Sequence, residues 1–254
     1  MPTTRRERIT QLLNDHTTIS LADLSEEFPD VSAMTLRRDL IHLEEVGVAI
    51  RVKGGAILAN QAESHSGEES AYGIRANTHK DAKLTIAKKA LALMETDRSI
   101  FFDAGSTIMT LSQQLQDDYY SIVTTGINVA QNLLEKERIN VVVLGGYANR
   151  NTLSLSGPLS TGVLDAVNID VAFISASGFT LDNHFTVSNI YEAELKRQII
   201  AKATKVIVLM DTSKIGKSLP YTFAQAASVD IFITEAGLSK EIKSFFTKEK
   251  TQVL

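Results

Sequence analysis

Cysteine is missing altogether from this chain of 254 residues. Its absence excludes disulfides, thiolate zinc sites and thiol catalysis in one step, and it fits a reducing, cytoplasmic home. No apolar run approaches the ~18 residues of a membrane span, and the basic N-terminal stretch MPTTRRERITQLL has no apolar h-region behind it, so neither a membrane segment nor a secretory signal is expected. A general basic field is missing too. Lys and Arg number 26 against 30 Asp and Glu, a formal charge of −4, and residues 1–60 hold seven cations against nine carboxylates. If the chain binds nucleic acid, it does so with a few placed arginines. None of the five histidines stands at ligand spacing with another, which argues against a metal site, and His184 reads as a loop residue rather than a catalytic base.

What is present is the composition of a soluble globular protein, 44% hydrophobic with 22% charged residues of mixed sign. The length allows one small domain and one medium one. Short helical patterns fill the first 58 residues, whereas apolar β-branched runs alternate with helical stretches from about residue 99 onward. Between them NQAESHSGEESAYGIRAN has linker chemistry. The expected division is a winged helix-turn-helix over 1–58, a linker over 59–78 and an α/β domain over 79–254.

In the first part Ile9, Leu12 and Leu13 share a helical face. Ser20, with Asp23 three residues on, can cap a second helix that carries Leu21, Leu24 and Phe28. Ser32 can cap a third, in which Leu36, Leu40 and Leu43 recur at i, i+4 and i+7 and which ends at Gly47. VAIRVKGGAIL then reads as a two-stranded hairpin, with Val48, Ile50 and Val52 inward and Arg51 and Lys53 outward. Three helices and a hairpin make the winged helix-turn-helix plan, whose second motif helix enters the major groove N-terminus first. Ser32, Ala33, Met34, Thr35, Arg37 and Arg38 occupy that end, and Arg51 and Lys53 the wing. Arginine suits the task because its planar fork can read guanine or clamp a phosphate. The bland reading is that Arg37 and Arg38 are a solvated face paired with Asp39, Glu44 or other carboxylates, and that Arg5, Arg6 and Arg8 are solubilising charge rather than phosphate contacts.

The second part offers a helix in KDAKLTIAKKALALME and strands in SIFFD, SIVTT, INVVVLGG, DVAFIS, KVIVLMD and DIFITE. Continuous apolar strands alternating with helices predict a mostly parallel sheet covered on both faces. Ligands in such sheets gather at the carboxyl ends of the strands. Four such ends carry phosphate-binding chemistry: Asp103 with Gly105, Ser106 and Thr107 opening a helix; Thr124-Thr125-Gly126; Gly145-Gly146; and Asp211, Ser213 and Lys214. Lys196 either points into this site or pairs with Glu192 four residues before it. SKIGKS is no P-loop, since Asp211 stands where that motif needs a glycine, and DAGST is no dinucleotide fingerprint, so no cofactor is expected.

VSAMTLRRDLIHLEEVGVAIRVKGGA closely resembles the N-terminal signature of the DeoR family of bacterial transcriptional regulators, and DAGST, TGINVAQNL, LGG, DVAFISASGF, EAELKRQI and DTSKIG extend the resemblance over nearly the whole chain. It implies a ribose-5-phosphate isomerase-like second domain that senses a phosphorylated sugar, with residues 103–107, Thr124, Thr125, Lys196 and Lys214 lining the pocket. The expectation is a repressor of carbohydrate metabolism genes, not an enzyme, that binds a double-stranded operator as a dimer or tetramer. The isomerases carry an acidic cluster after the strand corresponding to DVAFIS, where this chain has SASGFT. Asp182 and Glu192 remain as acids for the alternative, an isomerase-like enzyme with a DNA-binding appendage. A third reading has the α/β domain serve only oligomerisation.

Overall fold

Two capping boxes set the first helices in the computed structural model, which describes residues 4–45, 48–58 and 72–254. Thr4 begins α1 (Arg5–His16) and Ser20 begins α2 (Leu21–Glu27). In each, the hydroxyl accepts from the N–H three residues on, and the carboxylate there, Glu7 or Asp23, accepts from the cap's own N–H. Ser32 uses its hydroxyl alone to start α3 (Ala33–Glu45), accepting from the Thr35 N–H at 3.2 Å. Ile9, Leu13, Leu24, Leu36, Leu40 and Leu43 meet in one core, so the periodic stripe of α3 is its inner face. Each such side chain contributes about 1.5–3 kcal/mol on burial.

The wing departs from a simple hairpin. β1 (Thr18–Ser20), β2 (Ala49–Val52) and β3 (Gly55–Leu58) form an antiparallel sheet in the order β1-β3-β2. A Cβ at Gly55 would lie 2.1 Å from the Ile19 carbonyl oxygen, so only glycine lets β1 approach β3 this closely. The expected facing of β2 is corrected as well: Ala49 fills the core, and Val52 is 46% exposed. Gly47 and residues 59–71 lie outside the described residues. The described remainder of the expected linker carries a helix, α4 (Tyr72–Asn77), within the first of the two units into which the chain divides, Met1–Thr78 and His79–Leu254.

The second unit opens with α5 (Lys80–Leu91). Its main sheet contains β4 (Ser99–Phe102), β5 (Tyr120–Thr124) and β6 (Ile139–Val143). A hairpin of β7 (Tyr147–Asn149) and β8 (Ser154–Ser156) follows, and the main sheet resumes with β9 (Val171–Ser175). Next come β10 (Gly178–Thr180) and β11 (His184–Val187), then β12 (Lys205–Leu209), β13 (Tyr221–Ala224), β14 (Ile231–Ile233) and β15 (Gln252–Val253). The seven strands of the main sheet are all parallel, in the order β15-β14-β12-β9-β4-β5-β6, while β10, β11 and β13 form a separate antiparallel sheet. His184, read as a loop residue, is the first residue of β11, where its Nδ1 accepts from the Ala226 N–H at 3.1 Å.

Helices cover both faces because alternate strand residues are apolar on both sides. Phe102, Phe173, Ile207 and Leu209 pack against α5, α6 (Ser106–Gln114) and α7 (Ile127–Leu133). Phe101, Ala172, Ile174 and Val208 share the opposite core with Leu164 of α8 (Pro158–Ala166), Ile199 of α9 (Ile190–Lys202) and Phe246 of α10 (Lys240–Lys248). The strand order reverses its direction of travel between β4 and β9, and such a switch point opens a crevice at the carboxyl ends of the strands.

Candidate DNA interface and effector site

Around α3 the question is which cations are already spoken for. Asp39 is buried and accepts from Nε of Arg5 at 2.5 Å and from Nε of Arg6 at 2.9 Å. Glu44 takes the backbone N–H and Nε of Arg51, at 3.0 and 2.7 Å, and Glu27 takes Arg8. Asp39 and Glu44, the two carboxylates of α3 that could have masked Arg37 and Arg38 among the described side chains, are thus engaged elsewhere. Both arginines are exposed, and among the described residues neither has a hydrogen bond or an ion pair. Ala33 and Met34 are exposed beside them, Met34 at 56%, and the Thr35 hydroxyl lies 3.0 Å from that of Ser32. Lys53 is exposed at the turn of the wing. Arg51, also exposed, ties the wing to the last turns of α3 through its Nε.

Burial by itself would push the Asp39 carboxyl up. Hydrogen bonds from Arg5 and Arg6, together with their charges, outweigh it and hold the group below the ordinary carboxylate range. The same bond raises the Arg5 guanidinium further, against the opposing effect of its burial.

At the switch point of the second unit, Asp103 follows β4 and Ser175 ends β9. One carboxylate oxygen of Asp103 accepts from the Ser175 N–H at 2.9 Å, the Ser175 hydroxyl at 2.8 Å and Nζ of Lys196 at 2.5 Å. Its other oxygen meets the Thr125 hydroxyl at 3.4 Å. Both alternatives for Lys196 are realised together: it reaches the strand ends, and Glu192 Oε1 lies 3.2 Å from its Nζ. The side chain is 2% exposed, donates also to the Ser175 carbonyl and sits over the Phe223 ring at 5.1 Å. Two carboxylates and one ammonium thus meet in this buried cluster.

Anion chemistry is found beside it. Gly105, at φ +111°, starts α6 without any side-chain cap, and Ser106 and Thr107 occupy its first turn, whose N–H groups have no partner within a helix. Asn128, at the start of α7 next to Thr125 and Gly126, has a buried amide without a hydrogen-bond partner among the described residues. Other candidates perform local structural work. The Thr124 hydroxyl accepts from the Gly126 N–H, the Gly145 carbonyl takes the Ser160 hydroxyl, and Gly146 packs so closely on Ser156 that a Cβ would meet its carbonyl oxygen. Asp211 caps the short 3-10 turn Thr212–Lys214, which carries Lys214. Ser175 and Asn128 were missed; the rule that ligands gather at strand ends, applied to β9 and to the first turn of α7, would have found them.

Among the described residues no helix is long and apolar enough to cross a membrane, and no group of three or more His, Asp or Glu could hold a metal ion. A winged helix-turn-helix with unpaired arginines, joined to a doubly wound sheet with a polar switch point, defines a DNA-binding regulator with a second, ligand-type domain. Residues 5–62 match the DeoR-like helix-turn-helix domain and residues 78–236 the DeoR C-terminal sensor domain. The HTH-type transcriptional regulator GolR of Listeria innocua is 32% identical over 96% of this chain and 95% of its own length. The lactose phosphotransferase system repressor of Streptococcus mutans is 32% identical over 91% of each. Ribose 5-phosphate isomerase A of Methanocaldococcus jannaschii superposes with a TM-score of 0.41 at 19% identity, over 54% of this chain and 55% of that one. The chain belongs to the DeoR family of transcriptional regulators.

Proposed function

We propose that this regulator represses carbohydrate metabolism genes by binding a double-stranded operator in the cytoplasm as a dimer or tetramer, and that a phosphorylated sugar in the second domain modulates the binding. The observation that carries the DNA half is the state of Arg37 and Arg38: exposed at the start of α3, with Asp39 and Glu44 of the same helix committed to other arginines. The uncapped start of α6 beside the Asp103–Lys196 cluster supports the effector half. In this reading the phosphate lies on the N–H groups of residues 105–107 with Lys214 as its cation, and the cluster with Thr125 holds the sugar hydroxyls. The effector acts because it binds the DNA-bound and DNA-free arrangements unequally.

The Asp103–Lys196–Glu192 cluster is also what an isomerase-like reading would use. Its members hold one another in place, which suits binding more than the proton shuttling of an enediolate mechanism. A gel shift on the DNA upstream of the gene encoding this chain, repeated with a panel of pentose and hexose phosphates, tests the proposal. The expected result is a retarded complex whose affinity one sugar phosphate shifts without being converted. No complex overturns the DNA half, a complex indifferent to every sugar overturns the effector half, and turnover favours the enzyme.

A further inference from the structure

Arg5 and Arg6 use one edge of their guanidinium groups and leave the other open. Each donates to Asp39 through Nε alone, and among the described residues neither side chain has another hydrogen-bond partner. The two are 35% and 47% exposed, whereas the carboxylate they share is buried. Elsewhere in this unit one arginine neutralises one carboxylate, as Arg8 does with Glu27 and Arg51 with Glu44. A second guanidinium on Asp39 is therefore surplus to neutralisation and leaves the cluster one unit positive. Asp39 follows Arg38 directly, about 1.5 Å of rise along α3, so the anchor of the pair belongs to the same turn as an arginine offered to the groove.

We propose that Arg5 and Arg6 clamp operator phosphates with their Nη edges, and that Asp39 is a positioning residue that aims them. The proposal rests on the reading of α3 as the groove helix. An arginine fork presents five donors, and anchoring Nε on a carboxylate leaves the Nη groups for a phosphate while removing rotamer freedom that binding would otherwise have to freeze. Phosphate contacts fix the register of a protein on DNA and carry no base information. Arg5 and Arg6 would thus hold the register in which Arg37 and Arg38 read, through a carboxylate that belongs to the reading helix itself.

The test is the salt dependence of the full chain's affinity for random-sequence duplex DNA, which needs no knowledge of the operator. Each phosphate contact adds about 0.9 to the slope of log affinity against log salt. Arg5→Gln and Arg6→Gln should each lower the slope by about that amount, so that a roughly fourfold rise in salt costs the variant about 3.5-fold less affinity than it costs the parent chain. Arg5→Lys and Arg6→Lys, which keep the charge, should keep the slope. Asp39→Asn, which spares both cations but releases their anchor, should keep the slope and weaken binding by a similar factor at every salt concentration, and an unchanged affinity in Asp39→Asn overturns the positioning role. An unchanged slope in the Gln variants overturns the proposal. So does an equal loss of slope in Asp39→Asn, because the arginines would then act only through the fold. If a Gln variant fails to fold, the contrast between Lys variants and Asp39→Asn decides: a slope lowered in either overturns the clamp. No duplex binding by the parent chain overturns the DNA reading itself, a separate outcome.

Discussion

The two units treat positive charge in opposite ways. In the first, Arg37, Arg38 and Lys53 stand in water while Asp39 and Glu44 are engaged by other arginines, and the surplus cation on Asp39 is half exposed. In the second, Lys196 is withdrawn from water among Asp103, Glu192 and the Ser175 carbonyl. A charge left exposed contributes little to stability and is ready for a polyanion. A buried charge fixes the geometry of its neighbours, and removing it leaves the others unpaired in a low-dielectric interior. The difference locates two tasks: docking on a long charged surface, and shaping a small polar crevice.

The largest expected effect breaks the buried side of this contrast. Lys196→Met strands two carboxylates and should cost about 3–5 kcal/mol in urea unfolding, with hydrogen exchange rising in β4 and β9. A neutral result would mean that the cluster is not a paired one. On the exposed side, Arg38→Ala should leave the unfolding free energy within about 0.5 kcal/mol and weaken operator binding by roughly 1–3 kcal/mol. Loss of stability with DNA affinity unchanged would reverse the roles assigned to the two units.

Acid sharpens the comparison. Asp39 is held below the ordinary carboxylate range in the folded chain, so the stability it contributes is complete above the unfolded value of about 3.9 and is lost as pH falls through the lower folded one. Stability of the first unit should therefore decline below about pH 4, and Asp39→Asn should flatten that part of the decline. Glu235, which accepts from Thr212 and Thr234, behaves with the same sign in the second unit: its burial acts upward, and those bonds outweigh it. A chain whose acid limb is identical with and without Asp39 would show that the arginine pair does not stabilise the ionised form. The smallest effect is expected for Lys53→Ala, which should weaken operator and random duplex alike and lower the salt slope by about 0.9.

Much of this was legible in the sequence because it rests on short-range chemistry. The Ser20–Asp23 box, the Ser32 cap and the Leu36, Leu40, Leu43 stripe each follow from residues within two turns of one another. The six longer strands of the main sheet announce themselves by apolar runs. β15, with two residues, has no pattern to read, and β1 is a strand only because Gly55 lets β3 come against it. In the candidate site, Asp103 and Lys196 were named from their places in the chain. Ser175 was not, because the importance of a strand end depends on which strands are neighbours, and the β4–β9 pairing joins residues about seventy apart.

The sequence by itself determined the two-domain plan, the family and the presence of arginines at the head of the third helix, since periodicity, capping and motif spacing are local properties of a chain. The tertiary structure alone decided which charges are free. Asp39 is adjacent to Arg38 in sequence yet binds Arg5 and Arg6, and Glu44 turns to Arg51, because packing carries α1 and the wing to α3. Pairing among charged side chains is set by distances that only a folded core fixes, and for this protein those distances separate the arginines anchored on carboxylates from Arg37 and Arg38, which are not.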